Sequence, residues 1–197
     1  QYNRPDGLFH GGRASSWSNR TIGALLRRHV ANRSRVAWID LHTGLGPYGH
    51  GEKIFGRYDA AITGRARSWW GMDLVPSSEP GSVSPIAAGY MTLSIDEECP
   101  GVEVTRMTLE YGTLPNPEVR LALRGEAWLR AHPDAPASLA AAIRRSVRDA
   151  FYVDRDDWKG MILSHPDRNP RRRRRAAARS LHAHAGEATR PRAGERG

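Results

Sequence analysis

The stretch VAWIDLHTGLGPYGHGEK, Val36 to Lys53, decides how the rest of the chain is read. Val36 to Leu41 is apolar on both faces except at Asp40, the pattern of a strand buried on two sides. The run stops at a lone histidine, His42, and gives way to glycines at 44, 46, 49 and 51. Two chemistries compete for that junction: a phosphate held by the glycines, or a metal held by the histidine.

Gly44 to Gly49 spells G-x-G-x-x-G after a predicted strand. The dinucleotide fingerprint also needs a helix opening there, because the helix N-terminus receives the pyrophosphate. Pro47, Gly49, Gly51 and the short run KIFGRY cannot supply one. Gly46 to Lys53 likewise approximates a P-loop, yet no Ser or Thr follows Lys53 to meet magnesium. His42 is the stronger candidate. Open α/β sheets present ligands beyond the carboxyl ends of their strands. Asp40, two residues back, shares the histidine's face and is placed to orient it, as carboxylates orient ligating imidazoles. A lone histidine at a strand end is also commonly structural, and that alternative stays open at this point.

MTLEYGTLP, Met107 to Pro115, raises the same question a second time. Glu110 ends another apolar run just before Gly112, and a carboxylate there is costly to bury unless it meets a cleft or a partner. Two strands thus each bring one polar group to an expected carboxyl end. That arrangement suits metal-assisted hydrolysis, with histidine on zinc and glutamate on the attacking water.

Around these segments the pattern predicts α/β architecture: a mixed, mostly buried sheet flanked by helices. Ser18 caps a helix carrying Ile22, Leu25, Leu26 and Val30. The region 43–90, rich in Gly, Pro and Ser, is expected to form loops and short strands. Tyr90–Ile95 and Val102–Glu110 read as strands. Asn116 caps a helix with Pro117 at its first position, running to about Ala131. A further helix opens at Pro136 and Ser138, with Leu139, Ile143, Val147 and Phe151 as a core stripe, and a short one spans Trp158–Leu163.

The net charge of +9 at first suggests nucleic acid. Residues 169–197 hold nine Arg against two Glu, so +7 of it lies there and only +2 in residues 1–168. The basic signal belongs to the tail, expected to be disordered because a block of like charge cannot bury enough surface to order itself. The chain divides accordingly into a catalytic portion, 1–168, and a basic tail, 169–197. Nucleic acid contact is expected only through Arg171–Arg175, by counterion release. A rival surface interleaves Trp69 and Trp70 with Arg65 and Arg67, as single-strand binders do. The one cysteine, Cys99, excludes an intramolecular disulfide framework and fits a reducing compartment. No apolar run reaches the ~18 residues of a membrane span, so a cytoplasmic location and no membrane partner are expected.

QYNRPDGLFHGG, WSNRT, VAWIDLHTGLGPYGHGEKI, VTRMTLEYGTLP and RDAFYVDRDDWK together resemble a bacterial branch of the zinc-carboxypeptidase-like superfamily. That superfamily also holds succinylglutamate desuccinylase and aspartoacylase. The resemblance runs in order from Gln1 to about Leu163, and IDLHTGLG and LEYGT are its specific segments. It implies that His42 is the downstream histidine ligand of zinc. It also implies that Glu110 is the general base on zinc-bound water, then the acid to the leaving amine. Family members further need an H-x-x-E pair, and arginines for a substrate carboxylate, upstream of the region resembled. No H-x-x-E precedes His42 here. The resemblance therefore implies the C-terminal portion of a zinc-dependent amide hydrolase, acting on a small molecule or peptide, with zinc bound weakly or not at all by this chain alone. A non-catalytic remnant, or a nucleic-acid binder acting through its tail, is the competing expectation. Tyr48, Lys53 and Arg57 are further candidates for the pocket near His42.

Overall fold

The computed structural model describes residues 3–56, 60–77, 82–84 and 89–165. Helix α1 (Trp17–His29) is capped two residues before the expected Ser18: the Ser16 side chain accepts from Asn19 N at 3.1 Å. Strand β1 (Arg35–Tyr48) does not stop at His42. It runs on through the glycines because Gly44 and Gly46, at φ +147° and +105°, accept a bulge that other residues resist. Its register against Gly112 jumps there from Gly44 to Tyr48. A tight turn then leads into strand β2 (Gly51–Phe55). No helix opens at the G-x-G-x-x-G, so the phosphate reading lacks its frame.

The region expected to be loops contains helix α2 (Ala60–Trp70) before the short strand β3 (Val75–Pro76). The strand expected over Tyr90–Ile95 is instead a 3₁₀ turn, Met91–Leu93, running into helix α3 (Ser94–Glu98). Ser94 Oγ donates back to Met91 O at 2.6 Å, and Asp96 and Glu97 favour a helix N-terminus over an extended run. Strand β4 (Glu103–Gly112) and helices α4 (Asn116–Ala131), α5 (Ala137–Phe151) and α6 (Asp156–Ser164) follow. Pro115, not Asn116, is the N-cap of α4. The expected core stripe of α5 is a half-buried seam: Ile143, Val147 and Phe151 are partly covered and Leu139 is exposed.

The four described strands form one mixed sheet in the order β1-β4-β2-β3. β4 pairs parallel with β1 and antiparallel with β2, and β2 pairs parallel with β3. β4 and β2 are largely buried, whereas β1 at the margin is half-exposed, so the sheet is less enclosed than expected. The pleat sorts its faces. On one, Met107 packs with Phe55, Trp70 and Leu74 beneath α2, and Leu109 and Tyr111 pack with Trp158 and Ile162 of α6. On the other, Val36, Trp38 and Val104 meet Leu26, Ile95 and Cys99 from the α1–α3 layer. Burying each such side chain contributes roughly 1.5–3 kcal/mol.

The interleaved Trp/Arg cluster is part of this packing. Trp70 is buried, Arg65 donates to Thr105 Oγ1 and Val104 O, and Arg67 donates to Leu74 O. Little is left for a base to stack on. The basic tail, including Arg171–Arg175, and the boundary at 168/169 lie outside the described residues.

Candidate active site

Register builds the site. His42 on β1 is the partner of Glu110 on β4, and Glu110 is the partner of Glu52 on β2. Paired residues project to the same face, so three chemistry-bearing side chains form one row across the sheet, with Asp40 one pleat back on that face. Towards the start of the strands this face is sealed by α1 and α3. Beyond the row it opens into a cavity of about 770 Å³ beneath α4 and the end of α5. His42, Glu110, Val119, Arg120, Leu123 and Phe151 are among its walls.

The imidazole of His42 lies between two carboxylates. Nε2 is 2.9 Å from Asp40 Oδ2, and Nδ1 is 3.5 Å from Glu110 Oε2. Hydrogen bonding to Asp40, then to Glu110, outweighs partial burial and lifts the histidine from 6.5 to about 10. The ring therefore carries a proton on both nitrogens at neutral pH. Glu110 is buried at 8% exposure. Its Oε1 accepts from Leu45 N at 3.0 Å, in the bulge that the glycines allow. The glycine-rich segment thus positions a carboxylate rather than a phosphate.

The expected pair, His42 and Glu110, is brought together. Asp40 reaches the imidazole as its place on the strand suggested. Two other pocket candidates, Tyr48 and Lys53, are not among the residues that line the cavity. Tyr48 donates to Asp157 Oδ1 at 3.1 Å. Lys53 lies on the opposite pleat face, its Nζ donating to Trp70 O at 2.7 Å and Asp73 Oδ1 at 3.0 Å. Arg57 lies outside the described residues. Glu52, two residues from Ile54 on the same strand face, has a defined task. It accepts from Ser82 Oγ at 3.0 Å and from Val83 N at 3.1 Å, holding the 82–84 segment as a cavity wall. Its signal was parity with Ile54 in a five-residue strand, too short a run to read.

A catalytic zinc needs about three protein ligands converging on one point. Here a single imidazole has its two nitrogens facing opposite ways, each towards its own carboxylate, so no one ion is held by the imidazole and both carboxylates together. Among the described residues no group of three or more His, Cys, Asp or Glu is arranged to hold a metal. The donor set fits one ligand position and not a complete zinc centre. One H-x-x-E does occur, His184 to Glu187, but it follows Glu110 in sequence and lies outside the described residues.

Comparison with known proteins gives a family model, described as a protein of unknown function (DUF2817), that matches residues 1–165. No curated protein and no solved structure matches the chain.

Proposed function

The chain belongs to the DUF2817 family of unknown function, and we propose that it carries the general-base part of a metal-dependent amide hydrolase of the zinc-carboxypeptidase type. The observation that supports this reading is the pairing of His42 and Glu110 in one register row, at the mouth of one cavity, with 3.5 Å between them.

Glu110 is suited to move a proton in both directions. Its Oε1 is anchored by Leu45 N, while Oε2 faces His42 Nδ1. As base it takes a proton from water while the water oxygen bonds to the amide carbon. As acid it returns that proton to the nitrogen while the C–N bond breaks. The products are a carboxylic acid and an amine, and Glu110 ends as it began.

His42 is the residue of this chain that would serve as a ligand. Asp40 retains Nε2, which leaves Nδ1 as the donor nitrogen once its proton is lost. Zinc, when bound, supplies the polarisation of water and carbonyl. Its other ligands would have to come from outside the described residues.

The test is an assay of amine release from a panel of N-acyl amino acids and dipeptides. The protein is expressed with any coding sequence that precedes Gln1, with zinc supplied. Hydrolysis that disappears on chelation and returns with zinc supports the reading. Metal-independent hydrolysis, or none with every substrate, contradicts it.

A further inference from the structure

Two threonines fasten the sheet to the end of helix α5, and the chemistry described so far uses neither. Thr113, the residue after β4, is buried at 2% exposure. Its Oγ1 lies 2.8 Å from Gly44 O in the β1 bulge and 2.6 Å from Ala150 O in the last turn of α5. Thr43, next to Gly44, donates from Oγ1 to Phe151 O at 2.6 Å.

The acceptors on α5 explain why hydroxyls stand here. The last carbonyls of a helix find no amide within their own helix. Arg148 O accepts from Tyr152 N, whereas Ala150 O and Phe151 O are met by the two threonines. A third contact joins the same elements. Gly44 has no Cβ, and one built there would lie 2.8 Å from Phe151 Cε1 and 3.6 Å from Glu110 Oε1. The ring of Phe151 thus packs on bare backbone beside the carboxylate.

The bulge held in this way carries Leu45 N, which donates to Glu110 Oε1 at 3.0 Å. Gly44 and Gly46 let the chain take the bulged shape, but glycine's freedom gives that shape no stiffness of its own. The stiffness has to come from the partners of the bulge.

We infer that Thr113, with Thr43 beside it, is a positioning residue: the two hydroxyls latch the β1 bulge to the carbonyl end of α5 and so keep Leu45 N on Glu110. The inference rests on the reading of Glu110 as general base, a role that depends on the carboxylate being held in place.

Native-state hydrogen exchange of the full chain tests the latch without turnover. The amide of Leu45 is compared with those of the central strand β4, which report global opening. Thr113→Val keeps the side-chain shape and removes the hydroxyl. Exchange at Leu45 should then accelerate at least about fivefold more than exchange in β4, the effect of losing roughly one hydrogen bond locally. Thr113→Ser should restore the wild-type ratio. If Thr113→Val does not fold, Thr43→Val, at a half-buried position, carries the same expectation. Equal acceleration at Leu45 and in β4, or a Ser variant as loose as the Val variant, would overturn the inference. In protein that hydrolyses an amide substrate, Thr113→Val should lower kcat with KM nearly unchanged. An unchanged kcat beside a loosened Leu45 amide would also overturn it. A selective effect at Leu45 in a protein that hydrolyses nothing would sink the hydrolase reading alone.

Discussion

His42 and Glu110 are register partners on adjacent parallel strands, with Nδ1 of the first 3.5 Å from Oε2 of the second. Side chains on neighbouring parallel strands meet this closely only when pleat parity agrees, and here it agrees for Asp40 and Glu52 too. The arrangement makes the metal-free histidine a cation clamped by two anions.

The clamp makes stability depend on pH in a defined window. The folded state raises His42 from 6.5 to about 10, so folding takes up a proton that the unfolded chain releases near 6.5. The stabilisation is complete below pH 6.5 and is lost as pH rises towards about 10. In chelator, the melting temperature of the wild type should fall across that range relative to His42→Asn. Parallel curves for the two proteins would show that the histidine is not held as a cation.

Among the described glycines, Gly112 leaves the least room for a side chain. A Cβ there would lie 2.0 Å from Pro47 O and 2.4 Å from Gly46 O, both main-chain atoms that cannot swing aside. Gly112→Ala should cost about 3 kcal/mol or more, at or beyond the upper end of overpacking effects. Gly101→Ala, with nothing within 4 Å, should be close to neutral. Urea denaturation of the two variants checks the contrast.

Glu52 is expected to act on the cavity wall more than on the core. Glu52→Ala removes the acceptor of Ser82 Oγ and Val83 N and should cost about 1–2 kcal/mol. Glu52→Gln keeps one carbonyl acceptor and should cost less. Chemical denaturation of both variants checks the difference, and equal losses for Glu52→Ala and Glu52→Gln would contradict it.

Arg106 and Asp96 tie β4 to α3 below the site. The guanidinium is 5% exposed and makes bonds of 2.8 and 2.7 Å to the two Asp96 oxygens, with Thr92 O as a third acceptor at 3.0 Å. Asp96→Ala would leave a buried cation under-compensated, so a loss of about 3 kcal/mol is expected. Replacing both partners by apolar residues should recover part of it, and a double-mutant cycle measures that recovery.

The sequence made some of this legible and hid the rest for physical reasons. Two apolar runs, each ending at a polar group, marked His42 and Glu110, and parity alone placed Asp40 on the histidine's face. The helices after Gly112 were visible because Pro117 and Pro136 mark their starts. The continuation of β1 through Gly44–Tyr48 was not visible, since glycine permits both a loop and a bulged strand. The 3₁₀ turn and helix at Met91–Glu98 were hidden by a short apolar run that fits either period. Helix α2 was masked by the Pro- and Ser-rich residues that follow it. Glu52 owes its position to pairing with a strand almost 60 residues away, which local patterning does not record.

The account stands or falls on Glu110. In the protein expressed with any sequence that precedes Gln1, zinc content and the rate of N-acyl amino-acid hydrolysis are measured together for the wild type and Glu110→Gln. Glutamine keeps the acceptor for Leu45 N but cannot take a proton from water, so the rate should fall about 10²–10⁴-fold with zinc per chain unchanged. A Glu110→Gln protein that retains its zinc and hydrolyses at the wild-type rate would contradict the account.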